Sequence, residues 1–73
     1  MSWMRPVFST MVSEVGWDSD TNEILVVWAK GGKTSAYAGF DEAKAIELSN
    51  APSVGQMIIG EIKNSGKPHR YVG

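Results

Sequence analysis

A chain of 73 residues with a formal net charge of −1 and no cysteine is one small domain that buries only ~60% of its unfolded surface. The missing cysteines exclude disulfides and thiolate metal sites and fit a reducing cytoplasm. The charge argues against strong non-specific binding of nucleic acid, which needs a basic surface.

One histidine and scattered carboxylates form no metal-ligand pattern, and no cofactor is expected. No run approaches the ~20 apolar residues that span a bilayer, and residues 1–11 carry no signal-peptide pattern, so a cytoplasmic location and no membrane partner are expected. The charges are unevenly placed. Seven of the eight acids lie between Glu14 and Glu47, whereas Lys63, Lys67, His69 and Arg70 follow Glu61 with no acid among them.

Residues 1–8 read as an N-terminal arm, with Arg5 extended by Pro6 and with Trp3 and Met4 as its apolar part. Val7 to Trp17 reads as a first strand. Val12, Val15 and Trp17 break its alternation, which predicts a bulge near Ser13-Glu14. Asp18 to Asn22 is a turn by composition.

Ile24 to Phe40, ILVVWAKGGKTSAYAGF, is a hairpin around Gly31-Gly32, since a two-residue type I′ loop needs φ > 0 at both positions. That loop sets Lys30 against Lys33, Trp28 against Ser35 and Val26 against Tyr37. Ile24, Val26, Trp28, Ser35 and Tyr37 then share one face, and Leu25, Val27, Ala36 and Ala38 share the other. Neither face is polar.

Asp41 predicts an N-cap for a helix reaching about Asn50, with Phe40 as a hydrophobic staple. Ala45 and Leu48 form its apolar stripe, and Ile46 sits off it. Ser53 and Gln56 read as a capping box opening a second helix with Val54, Met57, Ile58 and Ile62 inward. Gly66 is its natural C′ residue and Pro68 stops it. The expected fold is α+β: a three-stranded antiparallel meander followed by two helices packed on one face, β-β-β-α-α, over residues 9–66. Residues 67–73 are left as a basic C-terminal tail.

The runs STMVSEVGWD (Ser9 to Asp18), ILVVW (Ile24 to Trp28), SAYAGF (Ser35 to Phe40) and LSNAPSVG (Leu48 to Gly55), with Ile62-Lys63, resemble the KTSC domain. That family is a short module found alone in bacterial and phage proteins and at the C-terminus of some lysyl-tRNA synthetases. Val15-Gly16-Trp17-Asp18 stands where the family has V-G-Y-D, and Ala51-x-Ser53-x-Gly55 where it has A-x-S-x-G. The family's central Y-x-Y appears as Ser35-Ala36-Tyr37, and its V-P before the first helix as Phe40-Asp41. Its aromatic stretch after the last glycine appears as Met57-Ile58-Ile59. The resemblance implies RNA binding by association with the synthetase. The lost aromatics thin the stacking surface that such binding uses. It also implies that the Ile24 face is the core and the Leu25 face is turned to solvent.

Several residues carry both a functional and a structural reading. Tyr37 and Trp17 would stack a base or fill the core. Lys63, Lys67 and Arg70, with His69, would grip phosphate or form a solvated tail. Ser53 would offer helix N-terminal amides to an anion or simply cap the helix. Lys30 and Lys33 around the two glycines lack any P-loop context and read as a plain turn. No triad can be placed around His69, and an enzyme is not expected.

The expected function is a non-catalytic binding module for a nucleotide or short nucleic acid. A phage-type sponge that sequesters a nucleotide signal is one form of it, acting in the host cytoplasm. A protein-interaction or assembly module without a small ligand is the alternative. An aliphatic outer sheet face also predicts a homo-oligomer built on Trp3, Leu25, Val27, Ala36 and Ala38.

Overall fold

The β-branched and aromatic runs pair into a sheet wider than the expected meander. The computed structural model describes residues Ser2 to Val72. Met1 and Gly73, the ends of the expected arm and tail, lie outside the described residues. One antiparallel sheet holds five strands in chain order: β1 (Ser2–Pro6), β2 (Val12–Asp18), β3 (Glu23–Trp28), β4 (Thr34–Ala38) and β5 (His69–Val72). The α+β class holds, but the three-stranded meander does not. The expected arm is an edge strand paired with β2, and the expected tail is the opposite edge, paired with β4.

Both edges escaped the sequence pattern for one reason. In β1 only Trp3 is even half-buried, and in β5 only Val72 is, so neither shows the hydrophobic alternation of a half-buried strand. Pro6 is tolerated because its missing N–H falls on an edge strand.

The first predicted strand is shorter than expected, starting at Val12 rather than Val7. Its register against β3 shifts between Val12 and Glu14, which is the predicted bulge. The central hairpin is correct in its faces and wrong in its register. Val26 pairs with Ser35 and Ile24 with Tyr37, and the Trp28 amide donates to the Lys33 carbonyl at 2.9 Å. The loop is therefore Ala29 to Gly32, two residues longer than a type I′ turn, with Gly31 at φ 85° and Gly32 at φ 67°. A slip of two leaves every side chain on its predicted face, where a slip of one would have inverted them all.

Asp41 caps α1 (Glu42–Ser49): its side chain accepts from the Lys44 amide at 3.0 Å. Ala45 and Leu48 are buried and Ile46 is exposed. The second helix is not uniform. It begins as α2 (Val54–Met57), continues as a π-turn over Ile58–Ile62 and ends as a 3₁₀ turn over Lys63–Ser65. Gly66 closes it at φ 77°. Ser53 stands at the N-cap, but its side chain makes no capping hydrogen bond, so the expected capping box is not formed.

The core lies between the sheet and these helices: Val12, Val15, Trp17, Ile24, Val26 and Tyr37 against Ala45, Leu48, Val54, Ile58 and Ile62. α1 is also tied to β1. Trp3 Nε1 donates to Glu42 at 2.9 Å and an Arg5 guanidinium nitrogen to Asn50 at 3.1 Å. Lys44 links Glu47 to Glu61 and so joins α1 to the second helical segment, which raises its pKa.

Gly16 explains the first family-like motif. A Cβ there would lie 2.1 Å from the Trp3 carbonyl oxygen and 2.3 Å from Met4 Sδ, so a larger residue would push β1 off β2. Gly16→Ala is expected to cost ~1–3 kcal/mol by overpacking. Denaturant unfolding checks the loss, and faster amide exchange confined first to β1 checks its cause.

Candidate functional site

Side chains alternate, so β5 presents His69 and Tyr71 to the helix-bearing side of the sheet and Arg70 to the other. On the helix side the cover stops short of this edge. What remains open is a groove of about 500 Å³ with Trp28, Ser35, Tyr37, His69 and Tyr71 as its floor. Lys30, Lys33 and Lys63 stand around it, with Thr10 and Met11 at one end. Its size falls in the ~300–1,000 Å³ range of small-ligand sites.

The floor is a ladder of rings. His69 stacks on Tyr37 with centroids 5.3 Å apart and an interplanar angle of 22°, and Tyr71 meets His69 edge-on at 5.9 Å. Tyr37 is only 3% exposed; it is the layer beneath His69. Burial raises its pKa and keeps its hydroxyl neutral. Tyr71 is 66% exposed and forms the open end of the ladder. At the other end Trp28 is fixed by its Nε1–H, which donates to Ser35 Oγ at 2.8 Å. Two ammonium groups rest on these rings: Lys33 Nζ lies 5.7 Å from the Tyr71 centroid and Lys63 Nζ 5.8 Å from the Trp28 centroid.

Of the residues singled out in the sequence, Tyr37, Lys63 and His69 meet in this groove. Trp17 is core, 4% exposed. Ser53 lies elsewhere, beside the loop Phe8 to Met11. Lys67 leaves the groove: its Nζ sits 5.6 Å from the Phe40 centroid, and its stem packs against Gly39.

Arg70 faces the opposite side of the sheet and makes a two-bonded pair with Glu23, at 2.7 and 3.1 Å. To do so it crosses β4 from its partner Ala36 towards Ala38, the partner of Glu23. The alanines are small enough for the guanidinium to pass. Ala36, expected at an oligomer interface, has no exposed area within one chain. Leu25, Val27 and Ala38 are half-buried on that same outer face, whereas Trp3 faces α1.

Trp28, Lys30, Lys33 and Tyr71 were missed as site residues. The signal for them was His69-x-Tyr71, whose spacing of two reads as one face of a strand once residues 69–72 are allowed to be one. No group of metal-ligating side chains occurs among the described residues, and none of their helices is long and apolar enough to cross a membrane.

The chain is thus a small α+β domain with an aromatic and lysine-lined groove at one sheet edge. It belongs to the KTSC domain family, whose model matches residues 8–65. It is similar over its full length to a KTSC domain protein from Yersinia pestis, known from a crystal structure, with 26% identity, complete coverage of both chains and a TM-score of 0.84. No curated protein matches it.

The Arg70–Glu23 pair sets a pH dependence. The Arg70 hydrogen bond outweighs burial and holds the Glu23 carboxyl below its ordinary range. A carboxyl depressed on folding contributes stability that is present above its unfolded pKa and lost as pH falls through the folded one. Arg70→Met should therefore lower the melting temperature by several degrees at neutral pH. The gap to the parent protein should close as acid protonates Glu23, which melting curves across the acid range read directly.

Proposed function

We propose that the domain binds a nucleotide or short single-stranded nucleic acid in the groove over β4 and β5, without turning it over. The observation that carries this reading is the pairing of aromatic faces with ammonium groups at Tyr71–Lys33 and Trp28–Lys63. A base offers a π-face to such rings at ~1–3 kcal/mol each, and the phosphates give the lysines a better partner than a ring. No carboxylate lines the groove to repel the phosphates. Its serine hydroxyl is engaged by Trp28 and its histidine is held between two tyrosines, an arrangement suited to holding a ligand. A protein that binds in this way and releases no product is a carrier or a sponge, and a cysteine-free chain suits the cytoplasm.

Titration with AMP and with a short oligoadenylate, followed by tryptophan fluorescence, tests the reading. The ligand should quench Trp28 and be recovered intact by chromatography. Tyr71→Ala and Lys63→Glu should each weaken binding about tenfold, whereas Lys67→Ser should leave it unchanged. With the three lysines engaged, the logarithm of affinity should fall with that of salt at a slope of about −2. Absence of binding to either probe would overturn the reading, and a cleaved ligand would overturn its non-catalytic part.

Self-association through the outer face is the second use the domain offers. Met4, 38% exposed, lies there with half-buried Leu25 and Val27, on a side that no helix covers. On that reading the parent is a dimer by light scattering and Val27→Asp is a folded monomer. A monomeric parent refutes it.

A further inference from the structure

The groove offers two separate aromatic rings, Trp28 and Tyr71. Trp28 lies opposite Lys33 and Tyr71 opposite Ser35, so the two residues stand two strands and two positions apart on one face. A strand spacing of ~4.8 Å and a rise of ~3.4 Å per residue put their Cα atoms about 12 Å apart, and the Trp28 indole reaches back across that gap to Ser35, beside Tyr71. Each ring nevertheless carries its own ammonium group, Lys63 on Trp28 and Lys33 on Tyr71. Stacked neighbours in a helix would crowd onto one ring. Bases splayed apart along a single strand, each on its own aromatic platform, are the arrangement single-strand readers use.

We infer that the groove is a two-base site: it takes a dinucleotide unit with one base on Trp28, the other on Tyr71, and the linking and terminal phosphates drawn to Lys63 and Lys33. This rests on the nucleotide-binding reading and names its ligand class. Each lysine rests on the ring that a base would take. Binding replaces two cation–π contacts with two stacks and releases both ammonium groups to phosphate. His69, stacked on Tyr37, supports Tyr71 from the side and sets the spacing of the second platform.

The experiment compares AMP, the 5′-phosphorylated diadenylate pApA and the hexamer pA6 by calorimetry on the intact protein. pApA should bind at least ~10-fold more tightly than AMP, the worth of one added stack. Tyr71→Ala should bring pApA down to the affinity of AMP. Tyr71 is exposed, so the variant should fold, and circular dichroism verifies it. Trp28→Ala should do the same, with Lys63→Met as the parallel test that leaves the partly buried indole in place. An affinity for pA6 equal to that for pApA assigns the site to a free dinucleotide; tighter binding of pA6 assigns it to two adjacent nucleotides of a strand. Equal affinities for AMP and pApA would overturn the two-base site and leave the nucleotide-binding reading standing, whereas binding of none of the three would overturn both.

Discussion

The rest of the structure depends on a mismatch of widths. Five strands span ~19 Å between their outer axes, at ~4.8 Å each, and the helices do not lie evenly over them. α1 is drawn to the β1 side by Trp3 and Arg5, which bond to its two ends. The second helical segment buries Ile58 and Ile62 next to it, and Lys44 holds the pair together. The helical layer therefore closes over β1 to β3, Ser35 and Tyr37 of β4 are buried at its margin, and the same face of β5 is left bare. The residues on that bare face are not core residues left out. They are rings that carry polar tips, with lysines beside them.

This division explains what the sequence could and could not tell. The helix boundaries, the bulge before Glu14 and the core face of the central hairpin were legible because each has a local cause: a cap, a broken parity, a period of two. The two edge strands were not legible. An edge strand with one covered face gains its order from backbone pairing, and pairing leaves no mark in composition. Reading residues 67–73 as a tail also hid the site, because only a strand separates Arg70 from His69 and Tyr71. As a tail, the basic residues looked like one cluster. As a strand and its approach, they part into three: Lys63 and His69 in the groove, Lys67 on Phe40, and Arg70 on the outer face.

The hairpin shows how a local error can leave a global conclusion intact. Gly31 and Gly32 do take positive φ, as a tight turn requires, but Ala29 and Lys30 join them in the loop. The pairing sum moves by two and the faces stay. The extra length has a use, since it carries Lys30 and Lys33 out to the rim of the groove rather than pairing them across a ladder. The second family-like motif has a comparable packing cause. Gly55 lies where a Cβ would come within 2.8 Å of Ser9 Oγ, and that hydroxyl in turn accepts from the amides of Met11 and Val12. The glycine lets the loop that leads into β2 close against the start of α2 and so places Met11 at the groove's end.

A chain with net charge −1 can still gather lysines in one groove, because its charges are sorted by face. Glu14, Asp18 and Glu23 project from β2 and β3 to the outer side, by alternation from the buried Val15, Trp17 and Ile24. Arg70 is placed among them and is neutralised there by Glu23. Lys30, Lys33 and Lys63 meet no carboxylate among the residues lining the groove; Lys33 and Lys63 rest on the rings of Tyr71 and Trp28. A cation–π contact at an exposed site is worth ~0.5–1 kcal/mol, about a third of a charge-assisted hydrogen bond at ~1.5–3 kcal/mol. On the proposed reading both lysines would exchange their rings for a phosphate at little cost, whereas Arg70 is held by a two-bonded pair to the buried Glu23. Net charge reports the sum of these two populations; only the strand alternation reveals which cations share a face with carboxylates and which with rings.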